Sequence, residues 1–330
     1  MHKVNLIALL ILFAGCSSES SQIQFESLLD SEWSKIVKDN PIYASSMGDL
    51  TQNTEWSDTS VKNIYSDHQH QLEVLNQLDQ LDLSNFTEDN KVNYSLFKQQ
   101  YENSIESHAY KTFLIPFSHR GGIQLQHETT SIVPLRNKQH YFDWIERISK
   151  IDVLVDAAIE KGKIGIAEEI VPPRFLMQKV YKQIELQAFV EPRDSPFYRV
   201  FLEMDRSIDS IETEEIQQKA LNVIKLKVIP AYVKLHRFFK DEYLPACRTS
   251  IGIKEIKNGK EYYEFLARKF TTTNLTPKEI HEIGLSEVAR IRGEMDAIIE
   301  EVKWEGTFKS FLDDLRTNPK FYYETSEELF

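Results

Sequence analysis

The chain has 330 residues, with 39 basic against 51 acidic side chains, a formal net charge of −12 and 41% hydrophobic content. That is enough apolar material for a sizeable core, which excludes a disordered chain and a disulfide-stapled miniprotein. The acidic balance and the lack of any Lys/Arg stripe argue against a nucleic-acid partner, whose phosphates need clustered cations. Glycine and proline number 11 each, well below the roughly 12% combined share of ordinary proteins, so long helices are expected over many short strands.

Met1, His2 and Lys3 precede an apolar run from Leu6 to Phe13, and Ala14, Gly15 and Cys16 follow. The run is too short for a permanent bilayer span, which takes about 20 residues, so residues 1–15 read as a cleaved signal peptide. Small residues ahead of a cysteine fit the lipobox of bacterial lipoproteins, with Phe13 where leucine is usual. Cys16 is then the lipidation site and residues 16–22 a lipidated, serine-rich tether. An ordinary signal peptide in which Cys16 is incidental is the alternative. On the first reading the protein sits on a membrane through its lipid anchor, in the bacterial cell envelope at the outer membrane or periplasmic face. Cys247 is the remaining cysteine, and it reads as a small core residue rather than a nucleophile.

From about residue 23, Phe25, Leu28, Leu29, Trp33, Ile36 and Val37 recur at helical spacing until Pro41. A second amphipathic run carries Val61, Ile64, Tyr65, His68, Leu72, Leu75, Leu78 and Leu81, and Thr87 with Glu88 and Asp89 opens a third. The stretch 113–135 breaks the pattern. Pro116, Gly121-Gly122, the alternation Ile123-Gln-Leu125-Gln and Pro134 predict a loop with a short strand. Helices resume with one apolar face running from Tyr141, Trp144, Ile145 and Ile148 through Ile151, Leu154, Val155 and Ile159. Pro172-Pro173 opens another helix at Arg174. Thr213 is placed as the cap of a long run from Ile216 to Phe238, kinked at Pro230. Thr276-Pro277-Lys278-Glu279 is a capping box with proline at the first helical position, continued by Ile280, Gly284, Val288, Ile291, Met295, Ile298 and Val302. Ser326 looks like the cap of one more helix, so the sequence reads as stopping inside a larger fold, with a frayed natural tail as the alternative. No repeat or linker is visible. Residues 23–330 are therefore expected to form a single helical domain, a mainly α, multi-helix assembly with one short β/loop segment near 113–135.

The residues present support no self-contained active site. His127-Glu128 and His281-Glu282 begin like a helical zinc motif, but Ser131 and Leu285 stand where the second histidine belongs. His68 and His70, at i and i+2, do not converge on a helix. Nucleophile-elbow, Walker and dinucleotide-binding patterns are absent, and Glu168-Glu169, Glu214-Glu215 and Asp313-Asp314 read as solvated faces. No catalytic residue, metal ligand or cofactor is assigned within this chain.

Tyr262-Tyr263 and the segment from Thr271 to Arg292 carry a resemblance. So do Pro41-Ile-Tyr-Ala-Ser-Ser-Met-Gly-Asp49, Gly121-Gly122, Val171-Pro172-Pro173-Arg174, Ser195-Pro196-Phe197-Tyr198 and Pro230-Ala231-Tyr232. Together, and in this order, they resemble the bacterial domain-of-unknown-function 885 family from about residue 25 to the end. The resemblance implies a largely helical, zincin-like metallopeptidase fold of roughly twice this length, often lipid-anchored, with its zinc-binding His-Glu motif in a C-terminal half. Zinc is then expected only in a full-length relative. The present chain would form the N-terminal, cleft-forming part, inactive alone, with a peptide substrate or the C-terminal half of the fold as its partner.

Under that resemblance Gly121 and Gly122 with Ile123 to Gln126 would offer a strand edge to a peptide, or else form a tight turn into a packed strand. Arg174 would orient a substrate carboxylate or take an exposed salt bridge. His281 would face the cleft or serve as a core or capping histidine. The rival expectation is a complete, non-enzymatic helical lipoprotein that binds a peptide or an envelope partner.

Overall fold

The computed structural model describes residues 20–205 and 207–330, so the expected signal peptide and the expected lipidation site at Cys16 lie outside the described residues. The fold is mainly helical. Two compact units divide the chain, the first reaching Lys260 and the second spanning Glu261–Phe330.

The first unit opens with α1 (Ser21–Asp39), α2 (Pro41–Ser46), α3 (Val61–Asp79) and α4 (Glu88–Ala109). Ser20, Ser60 and Thr87 cap α1, α3 and α4, their side chains accepting from the backbone N–H groups of Ile23, Asn63 and Asn90. Pro41 ends α1 and starts α2 at a position where its missing N–H costs nothing. A small core of Phe25, Leu28, Val74, Leu78, Phe86, Tyr94 and Tyr101 closes between α1, α3 and α4.

The segment 113–135 departs from the expected strand. Only Phe117–Ser118 (β1) and Gly121–Gly122 (β2) pair, antiparallel, and Ile123–Ser131 winds into a 3-10 helix. The alternation of Ile123-Gln-Leu125-Gln imitates a strand, but tertiary bonds override it. Gln124 is buried, its Nε2 donating to Ser118 O at 2.7 Å, and the Tyr232 hydroxyl donates to Ile123 O at 2.5 Å. Gly122 has φ of +123°, and a Cβ there would meet Gln124 Oε1 at 3.0 Å, so glycine is required.

The single face expected from Tyr141 to Ile159 is two helices, α5 (Lys138–Ser149) and α6 (Ile151–Ala167). The break is at Lys150, whose ammonium donates to Glu55 Oε1 at 2.6 Å and to Thr54 O at 3.3 Å. α7 (Arg174–Ala188) begins directly after Pro172-Pro173. Then α8 (Ser210–Val223), α9 (Ile229–Phe238) and α10 (Leu244–Ala246) follow with π-helical turns at Ile224–Val228 and Phe239–Tyr243 between them. Asp209 rather than Thr213 caps α8, its carboxylate accepting from the N–H groups of Ile211 and Glu212. Each π turn runs straight into a proline, Pro230 or Pro245, and the wider turn accommodates the missing N–H. The kink assigned to Pro230 is thus a π turn that begins six residues earlier, at Ile224. These helices enclose the main core, which includes Trp144, Phe197, Phe201, Tyr232, Phe239 and Tyr243.

The second unit holds most of α11 (Gly259–Thr271), then α12 (Pro277–Glu301), α13 (Phe308–Thr317) and α14 (Ser326–Leu329). The capping box of α12 is present: Thr276 Oγ1 accepts from Glu279 N, and Glu279 Oε2 accepts from Thr276 N at 2.8 Å. The cap of α14 is Thr325, one residue before the serine expected in that role.

Candidate functional site

The residues singled out in the sequence do not meet in one place. Gly121 and Gly122 form the second strand of the hairpin, and because Ile123 to Gln126 is helical the pair offers no extended edge. Arg174 opens α7 and spends its guanidinium on the Pro245 carbonyl, Nη2 to O 2.7 Å, in place of a carboxylate. His281 is exposed on α12, in the second unit. Cys247 is 2% exposed, its Sγ donating to Tyr243 O, and burial pushes its thiol up to about 12, so it is no nucleophile.

A polar pocket of about 270 Å³ opens among α1, α3 and α4. It surrounds a carboxylate that α1 carries on its apolar face: Glu32 is 5% exposed. His70 of α3 places Nε2 at 2.8 and 2.9 Å from the two oxygens, and the Tyr101 hydroxyl of α4 donates to Oε2 at 2.6 Å. Burial, reinforced by Glu32, pushes Tyr101 above the usual phenol range and keeps it a donor. Lys35 bridges Asp39 and Asp67 at the same pocket, and Ser104 donates to Gln71 at 3.0 Å. The His70 side chain is one-third exposed, so a carboxylate-oriented imidazole stands at a water-accessible wall with Nδ1 as its remaining function. Such a pair can take a proton from, or give a hydrogen bond to, a small polar molecule in the pocket.

Sequence reasoning missed this trio because its members are 38 and 69 residues apart. One local signal existed. Glu32 falls four residues after Leu28 and three after Leu29, on the stripe that α1 buries.

A second buried polar group is structural. Arg147 of α5 is fully buried; its Nη2 donates to Ser45 Oγ at 3.1 Å, its guanidinium lies 5.7 Å from the Trp56 ring, and Trp56 Nε1 donates to Arg147 O at 2.7 Å. Asn53 bonds both Ser45 and Asp143 of α5. Burial lowers the Arg147 pKa to about 10. This network fastens the segment after Pro41 onto α5.

Zinc requires three converging protein ligands. Among the described residues no group of three or more His, Cys, Asp or Glu side chains is arranged to hold a metal ion. His127 Nδ1 lies 3.0 Å from Gln187 Nε2, His68 stacks on His108, and His70 turns to Glu32. These residues do not fit a zinc site.

Over residues 41–330 the chain matches the family model described as "Bacterial protein of unknown function (DUF885)". The chain belongs to the DUF885 family. No protein of curated function matches the sequence. Among solved structures it is similar to a crystal structure described as "the putative lipoprotein from Colwellia psychrerythraea", at 22% identity and a TM-score of 0.78, covering 94% of this chain and 57% of that one. The present DUF885 chain therefore spans little more than half the length of that neighbour, and the likeness shows a shared fold. No helix among the described residues is long and apolar enough to cross a membrane.

Proposed function

We propose that this DUF885 protein is a lipid-anchored component of the bacterial cell envelope, and that its helical body forms part of a substrate cleft completed by further polypeptide. The observation that carries the proposal is α12. Val288, Ile291, Met295, Ile298 and Val302 form one helical stripe, and each is 41–67% exposed. A continuous apolar stripe of this kind marks a surface that other polypeptide covers. The similar Colwellia chain extends well beyond the length matched here, and polypeptide of that extent is a fitting cover.

The anchor is supported by Ala14-Gly15-Cys16 in the sequence and by the description of that neighbour as a lipoprotein. The peptidase part rests on family resemblance, and its zinc ligands and general base would come from the covering polypeptide. The pocket around Glu32 favours a second reading, a non-enzymatic lipoprotein that binds a small polar or peptide partner.

Three measurements separate these readings. Cys16→Ser is expected to release the protein from membranes, and unchanged retention refutes the anchor. Residues 17–330 alone are expected to leave a peptide library uncut, and chelator-sensitive cleavage refutes the division of labour. Val288→Glu with Ile298→Glu is expected to leave this chain folded, because both side chains already meet water, while abolishing the assembly of any longer polypeptide that carries them. Unimpaired assembly refutes the covering role of α12.

A further inference from the structure

Where α4 ends, two histidines lie face to face. His68 of α3 and His108 in the last turn of α4 stack with ring centroids 3.8 Å apart and planes 7° from parallel. The Tyr65 and Phe113 rings each lie 5.1 Å from His108. His68 Nδ1 is buried and has no hydrogen-bond partner. The backbone turns sharply at this corner, since Lys111 adopts φ of +52°. The Lys111 ammonium reaches both oxygens of Glu168, at the end of α6, at 2.8 Å. Phe113 packs with Leu114, Ile170 and Ile256. The stack therefore sits at the joint between the N-terminal helices and the body of the first unit.

We propose that the His68–His108 stack is an acid-sensitive latch, closed while the His108 ring is neutral, whose release loosens the corner formed by α3, α4 and residues 110–115. A first proton on His108 is unfavourable. It places a positive charge in a half-buried ring next to the Lys111 ammonium. A second proton sets like charges 3.8 Å apart. The carbonyl end of α4, in whose last turn His108 lies, offsets part of this cost. Glu168, the acid that α6 brings to this corner, is occupied by Lys111, and His70 on α3 turns away to Glu32.

The sign follows from linkage. Burial first, then His68 and Lys111, hold the His108 pKa below 6.5. The closed corner is fully stable above about pH 6.5 and loses stability as pH falls through the lower folded value. Within that window each pH unit raises the opening constant by up to about tenfold for every proton taken up. Because α3 and α4 also line the Glu32 pocket, acid would loosen two of its three walls.

Hydrogen exchange of the full mature chain, compared at about pH 7.5 and about pH 5 after correction for the intrinsic rate, tests the latch. Peptides spanning residues 104–116 are expected to exchange about tenfold faster in acid while α7 is unchanged. His108→Phe keeps a stacked ring that cannot titrate, and its corner is expected to exchange equally at both values. An unchanged wild-type corner, or the same acid loosening in His108→Phe, overturns the proposal. Should His108→Phe misfold, a proton NMR titration of the wild-type histidine rings decides: a His108 midpoint below 6.5 supports the latch, and one at or above 6.5 sinks it.

Discussion

Substitutions at Glu32 separate a carboxylate that holds the bundle together from one kept for the pocket. Removing a carboxylate from water costs several kcal/mol even after relaxation. Glu32 recovers this through His70 and Tyr101, and charge-assisted bonds return about 1.5–3 kcal/mol each, so the two nearly balance. Glu32→Ala keeps the desolvated donors, removes their acceptor and leaves a hole. Its expected cost is about 3–5 kcal/mol. Glu32→Met paired with Tyr101→Phe replaces the polar seam by apolar groups of similar volume. His70, one-third exposed, can then turn to water, so the double variant is expected within about 1 kcal/mol of wild type, or above it. Urea denaturation followed by the fluorescence of Trp33, the next residue along α1, reads both variants. If the double variant is as unstable as Glu32→Ala, the carboxylate is a structural keystone and its assignment to the pocket fails. If stability survives, small-molecule binding at the pocket is the property that the double variant should lose.

Other consequences are equally direct. A Cβ on Gly165 in α6 would lie 2.6 Å from Leu114 O and 3.0 Å from Ile170 O, both backbone atoms, whereas one on Gly284 in α12 meets nothing within 4 Å. Gly165→Ala should cost about 1–3 kcal/mol although alanine favours helix by about 1 kcal/mol, and Gly284→Ala should gain that amount. Thermal melts that shift the same way for both would contradict the packing described. Arg147→Ala takes from Ser45 its direct bond to α5, while the Asn53 and Trp56 bonds to α5 remain, with an expected loss of about 3–5 kcal/mol in urea titrations; a change under about 0.5 kcal/mol would remove the network from the account. Cys247, its thiol pushed up to about 12 by burial, should resist iodoacetamide in the native protein and react once urea unfolds it, as mass spectrometry can read. Rapid native alkylation would refute its core placement.

Legibility in the sequence depended on how far each cause lies from its effect. The starts of α4, α7 and α12 were readable because Thr87, Pro172-Pro173 and Thr276-Pro277-Lys278-Glu279 act within one turn. The break between α5 and α6 was not. Ile148 and Ile151 continue the apolar period across it, and the residue that ends the helix, Lys150, is held by Glu55, 95 positions away. The two π turns left only Pro230 and Pro245 as traces. The alternation after Gly122 gave the wrong period, because Gln124 points inward to close its own hairpin.

Family membership is readable and chemistry is not for the same reason of distance. Several of the segments that carry the DUF885 resemblance turn out to build the scaffold. Ser45 in Pro41–Asp49 is held by Arg147, Phe197 and Tyr198 fill the main core, and Tyr232 fixes the 3-10 helix through Ile123 O. Thr276 and Glu279 close a capping box. Packing and capping repeat local patterns, so a sequence displays them. Glu32, His70 and Tyr101, like His68 and His108, are joined only when α1, α3 and α4 have packed. Resemblance in such a chain therefore reports which scaffold it builds, while its function has to be sought where single residues interrupt an apolar stripe, as Glu32 does in α1.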